Sequence, residues 1–284
     1  MRSSPAAKCP IVSSEAILAD AIERALARPR KRPLVIGLCG AQGSGKSTVA
    51  AALAGRFADT VVLSLDDLYK THDARAALAR DVHPLFATRG VPGTHDVDLG
   101  LATFAGLDGG HATPLPRFDK ARDDRVDPAA WPVAPARPAL VIFEGWCVGA
   151  APQDAAALVA PVNALERERD PDGVWRRHAN AALAGAYQWL FARIDWLAML
   201  RAPNWERVLG WRLEQEQALR ASGARGAGVM SDAEVTTFVS HYERLTRHIL
   251  DDMPGYADLV LQLDDMRGCV AVRGTDPTTD GGMR

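Results

Sequence analysis

Residues Gly40-Ala41-Gln42-Gly43-Ser44-Gly45-Lys46-Ser47 bring a lysine and a hydroxyl to the end of a glycine-rich run, with the P-loop spacing GxxxxGK[ST]. Glycines let successive backbone N–H groups close around phosphate oxygens without interference from a Cβ. A helix starting at Lys46 would aim its positive N-terminus at the same anion. Lys46 would reach the β- and γ-phosphates, and the Ser47 hydroxyl would ligate Mg²⁺. The alternative is an ordinary glycine-rich turn between a strand and a helix. Two features oppose it. An apolar strand pattern ends directly before the loop and a helical pattern follows it. Lysine is also scarce, occurring only as Lys8, Lys31, Lys46, Lys70 and Lys120. The nucleotide-binding set is therefore Gly40, Ala41, Gln42, Gly43, Ser44, Gly45, Lys46, Ser47 and Thr48, with ATP and Mg²⁺ as the cofactors.

Carboxylates follow three other apolar runs. Val61 to Leu65 ends in Asp66-Asp67, where a carboxylate could take the proton of an attacking hydroxyl, hold Mg²⁺ through water, or simply cap a helix or turn. Leu140 to Phe143 ends in Glu144-Gly145-Trp146, a Walker-B-like pattern with Glu in place of Asp. It suits Mg²⁺ organisation or substrate contact. Leu259 to Leu263 ends in Asp264-Asp265 and ranks below it, because no glycine follows directly. Asp264 is expected to be a solvated strand end.

The elements that must position these groups follow from periodicity. Glu15 to Arg28 places Ile17, Leu18, Ala21, Ile22, Ala25 and Leu26 on one helical face. Buried strands are expected at Leu34 to Cys39, Val61 to Leu65, Ala139 to Phe143, Trp196 to Leu200 and Leu259 to Leu263. Helices are expected at Lys46 to Ala58 and Trp205 to Ala221. Ala181 to Leu200 predicts a buried helix leading into a strand. The charges in that stretch oppose a membrane span. The alternation implies an α/β protein: a P-loop NTPase-type, doubly wound parallel sheet with helices on both faces. Ligands of such sheets bind at the carboxyl ends of the strands. His83 to Pro138, rich in Pro, Gly, Asp and Arg, predicts long ordered loops without a core of their own. The chain divides into residues 1–32 (helix and basic linker), 33–271 (P-loop domain) and a polar, mobile tail from 272 to 284.

Further blocks resemble the plant-type D-glycerate 3-kinase family, a branch of the phosphoribulokinase and uridine kinase group. They are Leu65-Asp66-Asp67-Leu68-Tyr69, Arg89-Gly90-Val91-Pro92-Gly93-Thr94-His95-Asp96, Pro116-Arg117-Phe118-Asp119-Lys120, Phe143-Glu144-Gly145-Trp146, and Trp211 to Glu216 with Met230-Ser231-Asp232 beyond. The resemblance runs from about Leu34 to about Arg267. Leu68 stands where the family has Phe, and Phe118 where it has Tyr. The resemblance implies a small-molecule kinase that converts D-glycerate and ATP into 3-phosphoglycerate and ADP. Asp66 would be the catalytic base, assisted by Lys46, Glu144 and Arg212. The metal would lie among Ser47, Asp66 and Glu144. Substrate contacts would come from Tyr69, Arg89, Thr94, His95, Asp96, Arg117, Asp119 and Lys120.

Glycerate carries a carboxylate, for which arginine is the natural clamp, and Arg89, Arg117, Lys120 and Arg125 are the available cations. The region from about 205 to 235 matches the family's helical lid, with Arg212 and Arg220 on a helix before the glycine-rich Ser222 to Gly228. Trp175, Tyr187, Trp189, Phe191 and Trp196 are expected to pack in the core.

Bulk properties narrow the alternatives. Hydrophobic residues form 48% of the 284 and charged residues 24%, enough for a real core. A net charge of −2 and a pI near 6.4 oppose nucleic acid or an acidic membrane as partner. Cys9, Cys39, Cys147 and Cys269 form no CxxC pair. Cys39 and Cys147 lie beside apolar runs as buried thiols, which fits the cytoplasm. Met1 to Pro10 carries no apolar signal core. The rival functions are a kinase for another acceptor (a nucleoside, pantothenate or a sugar acid) and an ATP-binding regulatory module that phosphorylates no acceptor.

Overall fold

Leu34–Gly40 and Leu140–Gly145 are buried along their whole length. Strands covered on both faces belong inside a parallel sheet flanked by helices. The computed structural model, which describes residues 13–221 and 230–274, has that architecture. In chain order, α1 (Ser14–Leu26) precedes β1 (Leu34–Gly40), α2 (Lys46–Arg56) and β2 (Thr60–Ser64). The next connection holds α3 (His72–Asp81), α4 (Val97–Asp108) and a small hairpin of β3 (Phe118–Asp119) and β4 (Asp124–Arg125), and leads to β5 (Leu140–Gly145). Then come α5 (Ala164–Arg169), α6 (Val174–Ala184), α7 (Ala186–Phe191) and β6 (Trp196–Arg201). The chain continues through α8 (Trp205–Ala221), α9 (Asp232–Ser240), α10 (Glu243–Asp252), β7 (Leu259–Leu263) and β8 (Cys269–Gly274).

The sheet order is β2-β5-β1-β6-β7-β8, parallel throughout except for β8. The β1–α2–β2 connection moves one way along the sheet, and the β2–α4–β5 connection moves back. Right-handed crossovers therefore put α2 and α4 on opposite faces. Phe104 of α4 and Phe191 of α7 both pack on Phe143 of β5, which seals the α4 side. Helix α1 is capped by Ser13, whose hydroxyl accepts from the Ala16 N–H. It buries Leu18, Ile22 and Ala25 in the same core as the sheet.

Three expectations change. The His83–Pro138 segment holds a real helix, α4, whose signal was weakened by Gly100 and Gly106. Gly100 is there for close packing: a Cβ would stand 2.9 Å from Leu68 and 3.0 Å from Leu190. The same segment gives Leu85, Phe86 and Val91 to a small second core with Leu165 and Trp175, which supports the loop after Thr88 from beneath. At the other end, Val272 to Gly274 complete the edge strand β8, so the polar tail does not begin at 272. Every residue of β8 beyond Cys269 is exposed, so it carries no burial pattern. The tail from 275 lies outside the described residues. Of the five clustered aromatics, Trp175, Tyr187, Phe191 and Trp196 are buried, whereas Trp189 is 70% exposed. Cys39 and Cys147 are free and buried, and burial pushes the Cys39 thiol up to about 12. Among the described residues, no helix is long and apolar enough to cross a membrane.

Candidate active site

The parallel register brings three strand ends together. Ser64 of β2 lies beside Glu144 of β5, and Leu38 of β1 lies on its other side. The chain leaving each strand thus opens into one crevice, at the carboxyl edge where such sheets bind ligands.

From β1 comes the P-loop. Gly43 and Gly45 have φ of +77° and +87°, a backbone that favours glycine. Gly45 sits at the N-cap of α2, and Lys46 is the first helical residue. The first N–H groups of a helix have no partner within it, so they face the crevice as anion donors. The Ser47 hydroxyl donates to Glu144 Oε1 at 3.1 Å, while Glu144 Oε2 is buried and unpartnered. Gln42 Oε1 and Ser44 Oγ are likewise buried without a partner.

From β2 comes a short 3₁₀ turn, Leu65–Leu68, which separates the two aspartates. Ser64 caps it, accepting from the Asp66 N–H at 3.3 Å, so neither aspartate is spent as the cap. Asp67 turns to structure: it accepts from the Phe118 N–H at 3.1 Å and from Arg117 at 3.2 Å. Asp66 faces the crevice. Its Oδ1 accepts from the Tyr69 hydroxyl at 2.8 Å and its Oδ2 from Lys120 Nζ at 2.6 Å. Burial resists ionisation of Asp66, but Lys120 and Lys46, with the two hydrogen bonds, outweigh it and hold the carboxyl at about 2.

The crevice is a cavity of about 340 Å³, lined by Gln42, Gly43, Lys46, Asp66, Tyr69, Arg89, Lys120, Trp146, Arg212, Gln215, Phe238 and Tyr242. Its cations outnumber its one lining carboxylate, so the space suits an anionic ligand or more than one. Sequence reasoning missed Gln215, Phe238 and Tyr242 as wall residues and gave Trp146 no role. Tyr242 lies far along the chain, yet its hydroxyl donates to the Arg89 carbonyl at 3.0 Å. Gly90 passes so close that a Cβ would fall 2.0 Å from that hydroxyl. No local pattern marks such a contact; Phe238 lies in the last turn of α9 and Tyr242 caps α10, and their rings meet with centroids 5.3 Å apart across the junction.

Seven of the eight expected substrate residues separate into two groups, and His95 stands apart. Tyr69, Arg89 and Lys120 line the crevice. Arg117 is paired with Asp67 instead. Thr94 is fully buried, donating to the Val91 carbonyl and accepting from the Gly90 N–H, so it shapes its own loop. Asp96 caps α4 and pairs with Arg125 at 2.9 Å, which engages that arginine as well. Asp119 holds the β3–β4 turn through the N–H groups of Ala121 and Arg122. These four side chains do not line the cavity; they build the frame behind it.

His95 is buried under Tyr69, with ring centroids 4.6 Å apart. The Tyr187 hydroxyl accepts from the N–H groups of Gly93 and His95, so its one hydrogen goes to His95 Nδ1 at 2.7 Å. That leaves the ring proton on Nε2, which is buried and unpartnered. Burial lowers the imidazole pKa to about 3, so the ring is neutral at physiological pH. Phe118, the departure from the family's Tyr, packs edge-on to Tyr69, and the guanidinium carbons of Arg75 and Arg89 lie 5.9 and 5.7 Å from its ring centroid. An aromatic face suffices there.

In the region expected to form a lid, Arg212 reaches the cavity from α8 and is held by Glu216 at 2.9 Å. Glu216 is fully buried and also accepts from the Met230 N–H at 2.8 Å. Arg220 pairs with Asp232 at the start of α9 and does not line the cavity. Ser222 to Gly228 lies outside the described residues. Asp264 accepts from the N–H groups of Met266 and Gly268 and so makes the β7–β8 turn rather than a second metal site.

A P-loop at the end of a central parallel strand, facing a crevice with one ionised carboxylate and several cations, defines an ATP-dependent kinase of small molecules. Known proteins agree. The AAA domain family model matches residues 35–89. "Uncharacterized kinase mug58" from Schizosaccharomyces pombe is 39% identical over 251 residues, covering 81% of this chain and 87% of that protein. The chloroplastic D-glycerate 3-kinase of Arabidopsis thaliana is 33% identical over 225 residues, 74% of this chain; the match covers 46% of the plant protein. Among solved structures, the D-glycerate 3-kinase from Cryptococcus neoformans var. grubii shares the fold at a TM-score of 0.76 and 24% identity, over 92% of this chain and 99% of that one. The chain belongs to the D-glycerate 3-kinase family of P-loop kinases.

Proposed function

We propose that this kinase phosphorylates the 3-hydroxyl of D-glycerate, giving 3-phosphoglycerate and ADP. The observation that carries the reading is the charge arrangement around Asp66. One ionised carboxylate faces the crevice, while Lys46, Arg89, Lys120 and Arg212 line the same space. A triphosphate needs cations, and an acceptor with its own carboxylate needs more of them. The names of the plant and fungal relatives agree with this acceptor.

In the proposed mechanism the acceptor hydroxyl lies against Asp66. As the new O–P bond forms and the bond from Pγ to the bridging oxygen breaks, Asp66 receives the hydroxyl proton. A carboxyl held at about 2 is a weak base, which suits a loose phosphoryl transition state where the proton moves late. Tyr69 fixes the carboxylate rotamer through its hydroxyl. Lys120 neutralises Asp66 in the free enzyme and is released toward the acceptor carboxylate, which Arg89 also faces. Lys46 and Arg212 neutralise charge on the transferred group and on the leaving phosphate.

Mg²⁺ fits the Ser47–Glu144 pair. Both donors are hard oxygens, and Glu144 Oε2 is buried with nothing to bind. Bound there with nucleotide, it would supply charge neutralisation at the phosphates. Asp66 suits the metal less, since both of its oxygens are engaged. The buried, unpaired thiols of Cys39 and Cys147 support a reducing compartment such as the cytoplasm.

An ADP-release assay with Mg-ATP tests the acceptor. D-glycerate is expected to give the highest kcat/KM in a panel with L-glycerate, other hydroxy acids, sugar acids, pantothenate and nucleosides. A higher value for any other acceptor refutes the assignment. ADP release that no acceptor increases would favour an ATP-binding regulatory module.

A further inference from the structure

The turn from β7 to β8 is far from the acceptor residues in sequence, yet it touches the P-loop. Arg267 donates its Nε to the Gly43 carbonyl at 2.7 Å and its Nη2 to Glu214 of α8 at 3.0 Å. Its guanidinium carbon lies 5.1 Å from the centroid of the Trp211 ring. Trp211 is fully buried, and its indole N–H donates to the Asp265 carbonyl at 2.8 Å. Gly43 rests on Trp211 so closely that a Cβ would stand 2.6 Å from that of the tryptophan. Arginine, tryptophan and P-loop glycine thus form one packed unit.

Two further facts show that the arginine side chain serves more than the turn. Arg267 has φ of +70°, a conformation that is strained for any residue with a Cβ. The turn closes on backbone and Asp264, without the guanidinium: Asp264 accepts from the Met266 and Gly268 N–H groups, its N–H donates to the Gly268 carbonyl at 2.8 Å, and its carbonyl accepts from the Arg267 N–H at 3.1 Å. Meanwhile the peptide after Gly43 is held at both ends, its carbonyl by Arg267 and its N–H, that of Ser44, by the Ala41 carbonyl at 3.1 Å. This peptide is the outer bend of the loop that leads to Gly45 and Lys46.

We propose that Arg267 is a positioning residue for ATP. It fixes the Gly43 peptide in the conformation that presents the following N–H groups to phosphate, and it joins the P-loop to the lid helix α8. Because the arginine reaches nucleotide through the loop, its loss acts on ATP and not on the acceptor.

Arg267→Gly tests this cleanly, since glycine relieves the left-handed backbone while removing the guanidinium. The free variant is expected to melt no lower than wild type. Its KM for ATP and its Kd for Mg-ATP by calorimetry are expected to rise about tenfold, the size of one charged hydrogen bond, with KM for the acceptor unchanged. Arg267→Lys should recover only part of the loss, because an ammonium lacks the fork that serves Gly43 and Glu214 together. Unchanged ATP affinity in Arg267→Gly would overturn the proposal. So would an equal loss toward both substrates accompanied by a lower melting temperature, which would mark a purely structural brace.

Discussion

The two halves of the crevice are built by different means. On the nucleotide side a single contiguous segment, Gly40 to Ser47, supplies the cradle largely from backbone. On the proposed acceptor side the wall residues come from four separate stretches: Asp66 with Tyr69, then Arg89, Lys120 and Tyr242. There the shape depends on side chains meeting across the chain, such as Lys120 with Asp66 and Tyr242 with the Arg89 carbonyl. Backbone recognition of phosphate tolerates many sequences outside the glycines and the lysine. Side-chain recognition of an acceptor ties each residue to one ligand. Substitutions on the two sides should therefore fail differently.

The largest effect is expected from Asp66→Asn, which removes the proton acceptor but keeps its shape. kcat should fall about a thousandfold, while Mg-ATP still protects the folded protein in a thermal-shift measurement. Next, Lys46→Ala should lower kcat by about a hundredfold or more and also weaken that protection, which separates the two sides. Gly43→Ala should cost roughly 2 kcal/mol of stability in chemical denaturation, since its φ is +77° and the new methyl meets Trp211. KM for ATP should rise and KM for the acceptor should stay.

How far the sequence discloses each side follows the same division. The P-loop was legible because its chemistry lies in consecutive residues between a buried strand and a helix. The five parallel strands were legible because each is a short apolar run. β8 was not, because its exposed residues carry no burial pattern, and α4 was hidden by glycines that serve packing. On the acceptor side the motifs marked the right segments without telling wall from frame. Thr94 and Asp96 flank His95 in one block, yet both are consumed by backbone and Arg125, and only the folded contacts reveal it. Tyr242 and Phe238 lay outside every motif.

Smaller effects sharpen the acceptor side through pH. The base must be ionised, so activity is present above the Asp66 pKa and lost as pH falls through it. Burial raises that pKa, and Lys120 and Lys46 bring it down to about 2. Wild type should therefore show no acid limb from Asp66 at mild pH. Lys120→Met removes the strongest of the lowering groups, and an acid limb should move up to about 4 or beyond in a kcat/KM profile. The smallest effect concerns His95, whose pKa near 3 leaves it neutral above about pH 4. No inflection near pH 6.5 should trace to it, and the profile of His95→Gln should keep the wild-type shape between pH 5 and 8.

The account rests on transfer of the terminal phosphate of ATP to an alcohol held against Asp66. Phosphorus-31 and carbon-13 NMR of a mixture of enzyme, Mg-ATP and D-glycerate follows that transfer directly. The prediction is a new phosphomonoester coupled to C3 of glycerate, growing in step with ADP, and absent with Asp66→Asn. Appearance of ADP with inorganic phosphate alone, or a phosphoester that forms as fast with Asp66→Asn, would contradict it.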